Sequence, residues 1–281
     1  MTDLTGRVAV VTGAASGIGR ALALALADHG CKLALVDVHA DRLAEVAALL
    51  PGATAHTVDV SDRQAMLALP DQVIAAHGAV HLVINNAGVS CSRLFEEHSL
   101  DDWDWILGIN LWGVIYGCHA FLPHLMTQDW GHVVNISSLF GIVGVPTQAS
   151  YSATKYAVRG LSEVLWEELA HTHVGVTVVH PGGVDTNIVT DGRNSERADQ
   201  DRVLARFKAN AITPERAADQ IVRAIRRGDR RLVVTRDAVI LDWLKRLFPV
   251  SGNRWAGDLI SRALGLTRVQ QDRIAEYREG R

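Results

Sequence analysis

Six short apolar runs punctuate the first 235 residues, and between them apolar positions recur at helical spacing. Val8–Val11, Leu33–Val36 and Leu82–Ile84 come first; Val133–Ile136, Val176–Val179 and Leu232–Val234 follow. None alternates with polar residues, as a strand with one wet face would, and such runs suit a parallel sheet buried on both faces. The stretches between them, 17–29, 41–50, 62–77, 101–128, 150–172 and 214–227, carry the helical period. Strand–helix alternation of this kind predicts a doubly wound α/β sheet with helices on both faces and right-handed crossovers. No internal repeat or linker divides the chain, so 1–236 reads as one catalytic domain and 237–281 as a helical extension of it.

Two regions break the rhythm. Residues 187–210 are polar at first and then helix-like, ending in apolar Val203, Leu204 and Phe207, which suggests a mobile lid. After Thr235, the spacing of Ile240, Leu241, Leu244, Leu247 and Phe248 places one apolar face on a helix over 238–248. That face suits a pocket roof, a subunit contact or a membrane surface. The first two are favoured, because the basic face is thin.

Composition narrows the class. Of 281 residues 48% are apolar, enough for a large core, yet no run of 18 apolar residues predicts a spanning helix. The polar N-terminus runs straight into the first strand, so no signal peptide is expected. Three scattered cysteines suit a reducing cytoplasm, and a net charge of −3 gives no case for nucleic acid. His171 and His173, the closest pair of twelve histidines, stand alone, so no metal site is expected.

The chemistry gathers at strand ends. Gly13, Gly17 and Gly19 lie where the first strand meets an Ala/Leu-rich helix, a turn that lets backbone approach a pyrophosphate at the helix N-terminus. Asp37 ends the second strand, where a carboxylate accepts from ribose hydroxyls and repels a 2′-phosphate; neither Ala14, Ala15 nor Val38 offers a cation to offset that. The coenzyme reading is therefore NAD. Tyr151 and Lys155, four residues apart, share one helix face, and the chain has only four residues of each type. Ser138 ends the strand thirteen residues upstream. A carbonyl that receives hydride needs a proton, which a phenol can supply, and a nearby ammonium lowers the phenol pKa.

With these motifs in order, the sequence resembles the short-chain dehydrogenase/reductase family, classical type, from Thr12 to Thr186. Thr12–Gly19, with Ser16 and Ile18 among the glycines, is similar to the family's cofactor turn, and Asp59-Val60 to the pair that meets adenine. Asn85-Asn86-Ala87-Gly88 resembles the motif lining the cofactor, and Pro181-Gly182-Gly-Val184-Asp-Thr186 the loop that meets the carboxamide. The resemblance implies a seven-stranded Rossmann-like sheet and a catalytic tetrad of Asn110, Ser138, Tyr151 and Lys155. In it Lys155 also binds the nicotinamide ribose, and Asn110 holds a water beside the lysine. It also implies a homotetramer or homodimer built on the helices at 101–128 and 150–172, where Trp112 and Trp166 are candidate interface residues.

The wall near the site (Val89, Ser90, Cys91, Leu139, Phe140, Val143, Val145, Pro146) is mostly apolar, with Arg93 and Arg193 read as solvated. The expected substrate is a lipophilic ketone or secondary alcohol. A reductase of carrier-bound 3-oxoacyl groups usually goes with an NADPH site, against which Asp37 argues. A silent nucleotide sensor or scaffold would lack a tetrad member, and all four are here.

Overall fold

Burial on both faces explains the strands. A computed structural model describes residues 1–188, 191–194 and 211–264. Its strands are β1 (Val8–Thr12), β2 (Lys32–Asp37), β3 (Thr54–Thr57), β4 (Leu82–Asn85), β5 (Cys91–Ser92), β6 (Gly131–Ile136), β7 (Val174–His180), β8 (Arg193–Asn194) and β9 (Arg231–Val233). Seven of them form one parallel sheet in the order β3-β2-β1-β4-β6-β7-β9, while β5 and β8 pair separately. This is a Rossmann-like fold. The six apolar runs are all strands. The seventh, β3, is an edge strand of sequence Thr-Ala-His-Thr whose residues are half-buried or exposed, so no apolar run announced it. Chain order reverses between β1 and β4, and ligands of open α/β sheets sit outside the strand C-termini at such a switch point.

The helices are α1 (Gly17–Asp28), α2 (Ala40–Ala48), α3 (Arg63–His77), α4 (Leu100–Leu107), α5 (Gly113–Leu125), α6 (Ala149–Glu168), α7 (Pro214–Arg227), α8 (Arg236–Leu247) and α9 (Ser251–Leu264). Local chemistry sets several ends. The Asp62 carboxylate accepts from the amides of Gln64 and Ala65 at the start of α3, which stops at Gly78 with φ +83. Thr213 caps α7 ahead of Pro214, and Gly228 ends it at φ +70. Leu22, Leu26, Leu43 and Ile221 cover one sheet face; Met66, Leu69, Phe121 and Val158 cover the other.

The sequence predicts one helix over 101–128. The structure instead joins α4 to α5 through a π-helical turn, Gly108–Trp112. The composite Leu100–Leu125 is long and apolar enough to cross a membrane by length and composition. Its inner face is nevertheless core: Ile106, Val114, Phe121 and Leu125 are buried. The expected helix over 150–172 ends at Glu168. Most of the expected lid, including Val203, Leu204 and Phe207, and the extension beyond 264 lie outside the described residues.

Two histidines are buried in the sheet. His132 shares a 2.8 Å hydrogen bond with the Thr177 hydroxyl, and burial pushes its pKa down to about 4. His180 donates from Nδ1 to the Ser138 carbonyl at 3.1 Å; burial and the nearby Arg231 lower its pKa to about 3. Unfolded histidine titrates near about 6.5. Between these values the unfolded chain binds more protons, so this stability is present above about pH 6.5 and is lost as pH falls towards the folded values. Each group then removes up to about 1.4 kcal/mol per pH unit. The melting temperature is expected to fall from about pH 7 to pH 5; a flat profile there contradicts the assignment of two neutral buried rings.

Candidate active site

The turn between β1 and α1 needs its glycines. Gly13 and Gly17 have φ of +67 and +51, and a Cβ on Gly19 would lie 2.0 Å from the Gly13 carbonyl oxygen. The Ser16 side chain, at the N-cap of α1, makes no capping hydrogen bond, so the first-turn amides of a twelve-residue helix are left for a ligand anion. Ile18 packs into the core below. The Thr12 hydroxyl accepts from the amides of Asn86 (2.9 Å) and Ala87 (3.0 Å), and Asn86 Nδ2 donates to the Thr12 carbonyl at 2.8 Å. The Asn85–Gly88 segment is thereby fixed against the phosphate turn.

Asp37 is buried and already organises backbone: its carboxylate accepts from Ala15 N and His39 N, each at 3.0 Å. No cation pairs with it among the described residues, where Ala14 and Ala15 are its buried apolar neighbours in the turn. Asp59 follows β3 and accepts from the Ser61 amide and hydroxyl; Val60 is buried against the start of α5, 2.9 Å from where a Gly113 Cβ would stand. On the other side Thr186 abuts Gly17, where a Cβ would lie 3.1 Å from the threonine methyl. Gly182 is equally constrained by Thr235, Val184 is buried, and the Pro181 carbonyl accepts from Leu139 N at 2.8 Å. The candidate cofactor residues thus border one crevice, and the uncapped helix end with its glycine cradle fits a dinucleotide pyrophosphate.

The four proposed catalytic residues converge at the same sheet edge. Ser138 follows β6; its hydroxyl accepts from Phe140 N at 3.1 Å and acts on the Tyr151 phenol from nearby. Burial pushes the phenol pKa up, and the serine offsets only part of that. Lys155 is buried; its ammonium donates to the Ile136 carbonyl at 3.0 Å and stands 5.7 Å from the Tyr151 ring centre. Burial brings its pKa down to about 8. The Ser137 hydroxyl donates to the Lys155 carbonyl, tying α6 to β6 at 2.8 Å. Asn110 lies inside the π turn, where its side chain accepts from Val89 N and donates to Val89 O, both at 2.8 Å. Gly88 fits between: a Cβ there would lie 3.2 Å from Asn110 Oδ1 and 3.4 Å from the Lys155 ammonium.

The apolar wall differs in part from expectation. Val89 and Phe140 do pack around Tyr151, Phe140 edge-on at 6.2 Å, together with Trp105 and Ile188, which sequence reading missed. Cys91 and Ser90 are buried, and Leu139 and Val143 turn away to pack under α8 and α9. Arg93 and Arg193 are not simply solvated. Both face the buried carboxylate of Asp102, at 3.6 and 3.1 Å, and the Arg193 guanidinium lies 4.3 Å over the Trp105 ring. Burial would raise the Asp102 pKa, but hydrogen bonds from Arg193 and Ser99 and the charge of Arg93 hold it below the usual range. Ninety-one residues separate Asp102 from Arg193, so no local pattern could signal the pair. A cavity of about 550 Å³ lies at the opposite sheet edge, beside Cys31, Lys32 and His77, away from this constellation.

The sequence model of the short chain dehydrogenases matches residues 7–197. SadH of Mycobacterium tuberculosis, which is named as an oxidoreductase, is 42% identical over 262 residues, covering 90% of this chain and 95% of that protein. A solved short chain dehydrogenase/reductase from Burkholderia phymatum, in complex with NAD, has a TM-score of 0.83 at 31% identity, covering 88% of this chain and 95% of its own. Another, from Mycobacterium paratuberculosis and bound to NAD, has a TM-score of 0.74 at 26% identity over 83% of this chain and 97% of its own. The chain belongs to the short chain dehydrogenase family and is an oxidoreductase of that family.

Proposed function

We propose that the protein is an NAD-dependent dehydrogenase/reductase that interconverts a lipophilic ketone and its secondary alcohol, with Tyr151 giving and taking the proton. One observation carries the reading: a buried phenol, with a serine hydroxyl acting on it, faces an apolar wall beside a buried ammonium and a glycine cradle. With the coenzyme's pyrophosphate in that cradle, its nicotinamide would supply or take up the hydride. Ser138 holds the substrate oxygen beside the Tyr151 hydroxyl. Tyr151 donates its proton to that oxygen in reduction and removes it in oxidation. Lys155 would bind the nicotinamide ribose, and its ammonium beside the ring favours the ionised phenol. Asn110 fixes Val89 and the π turn against the lysine.

Burial alone makes Tyr151 a poor base, since it moves the phenol away from neutral pH. The positive charge of oxidised coenzyme, added to that of Lys155, would offset this. Phe140, Trp105, Val89 and Ile188 make the pocket suit an apolar body around the reacting oxygen. The partner is a second copy or a tetramer of the chain, joined through the outer faces of α4 to α6, where Trp112 and Val164 are about half exposed. Trp166 packs against the core instead. Free Cys31, Cys91 and Cys118 accord with a cytoplasmic setting.

Tyr151→Phe is expected to lower kcat by about 10²–10⁴-fold, the range for a lost proton-transfer group, with NADH affinity little changed. A folded variant that keeps near-native kcat on secondary alcohols contradicts the mechanism. Coenzyme choice has its own test. A 2′-phosphate facing Asp37 costs several kcal/mol, so kcat/KM for NAD should exceed that for NADP by well over about tenfold. Asp37→Ala should narrow the gap; equal use of NADP by the unaltered protein contradicts the coenzyme assignment.

A further inference from the structure

The hairpin of α8 and α9 has two apolar faces, and only one of them is used. Ala238 and Leu241 of α8 and Ala256 of α9 are buried against Leu139, Ile142 and Val143, the segment after Ser138. Polar contacts fix the hairpin there. Asn253 Oδ1 accepts from Gly144 N at 3.0 Å, the Lys245 ammonium donates to Tyr156 OH, and Arg231 grips the buried Asp242 carboxylate with two bonds of 2.7 Å. The orientation is therefore set, and it corrects the face read from sequence. Of that set only Leu241 is buried and Leu244 half-buried, whereas Ile240, Leu247 and Phe248 point out.

The outward face is continuous. Ile240, Trp243 and Leu247 stand at i, i+3 and i+7 of α8, at 67, 59 and 67% exposure. Trp255 and Leu259 stand at i and i+4 of α9. Phe248 meets Trp255 edge-on at 5.4 Å, which joins the two stripes, and Val250 projects between the helices at 86% exposure. Single exposed apolar side chains are ordinary, but a joined stripe with two tryptophans marks an interaction surface. The same two helices carry four exposed arginines, Arg236, Arg246 (paired with Asp242 at 3.1 Å), Arg254 and Arg262, against exposed Asp237 and Asp258, in a chain whose net charge is −3.

We propose that this hairpin docks the protein onto an anionic lipid surface, seating Trp243, Trp255 and their apolar neighbours at the headgroup boundary alongside the arginines of the same two helices. Tryptophan favours that boundary, and amphipathic helices with aromatic and aliphatic residues on one side and arginine on the other lie in it. Charge separates this from pairing with a second copy. In a two-fold contact the same patch meets itself, so the arginines of these helices would face their own copies, whereas anionic headgroups complement them. The proposal stands apart from the substrate reading, since none of these residues touches the Tyr151 site.

The test is co-sedimentation of the full chain with phosphatidylcholine vesicles, with and without phosphatidylglycerol. Binding is expected to vesicles containing phosphatidylglycerol, with a blue shift of tryptophan fluorescence. Trp243→Glu with Trp255→Glu should abolish it. Arg254→Gln with Arg262→Gln should weaken it by more than about tenfold, each basic residue near the surface being worth about 1 kcal/mol. A chain ending at Leu264 should still bind, and every variant should keep its melting temperature and its turnover of a small soluble alcohol. Failure of the folded protein to pellet with either vesicle overturns the proposal. So does binding that survives the tryptophan substitutions or vanishes on truncation at Leu264. A change of oligomeric state in Trp243→Glu, seen by light scattering without any vesicle binding, overturns it in favour of a subunit interface.

Discussion

The Lys155 ammonium sits inside the molecule with one backbone carbonyl as its hydrogen-bond acceptor, and much of the fold around it exists to keep it there. A buried ammonium is costly, and the cost appears as a pKa brought down to about 8. The chain meets that cost with rigid backbone: the Ile136 carbonyl at the end of β6 accepts from the lysine, and the Ser137 hydroxyl ties the lysine's own carbonyl to the same strand. Gly88 leaves room for the ammonium, and Asn110 pins the neighbouring Val89 peptide from the π turn. These elements come from β4, β6, α6 and the α4–α5 junction. Only a parallel sheet whose strand ends share one edge brings them together.

The same edge explains the phosphate cradle. Thr12, at the end of β1, bonds two amides of the segment that follows β4, and Asn86 returns a bond to the Thr12 carbonyl. The switch point between β1 and β4 is thus closed by polar contacts that fix the crevice before any ligand arrives. Preorganisation of this kind removes an ordering cost from binding. Asp37 extends the arrangement outward, because one carboxylate fixes Ala15 of the turn and lies where a ribose would be read.

Much of this was legible in the chain. The five inner strands lack polar alternation because both their faces are covered, the half-buried edge strand β9 shows only a short apolar run, and the glycine turn, Asp37, Ser138, Tyr151 and Lys155 mark themselves by residue type and spacing. What escaped did so for physical reasons. β3 is a four-residue edge strand with no apolar run to show. The π turn depends on an Asn110 side chain bonding a peptide 21 residues away. Asp102 draws in Arg93 and Arg193 across the pocket rim, and no local period encodes that. In α8, alanine and leucine form the buried face while larger side chains face out, so periodicity showed an amphipathic helix without showing which stripe the core would take.

The proposed mechanism requires that Tyr151 hold its proton in a buried site until positive charge arrives beside it. Ultraviolet difference titration of tyrosinate, taking the full protein minus Tyr151→Phe, measures that ionisation directly. Without coenzyme, no Tyr151 component should appear below about pH 10, the ordinary phenol value. With saturating NAD, a component of one tyrosine should appear within the neutral to mildly alkaline range. A difference spectrum that NAD leaves unchanged would contradict the account.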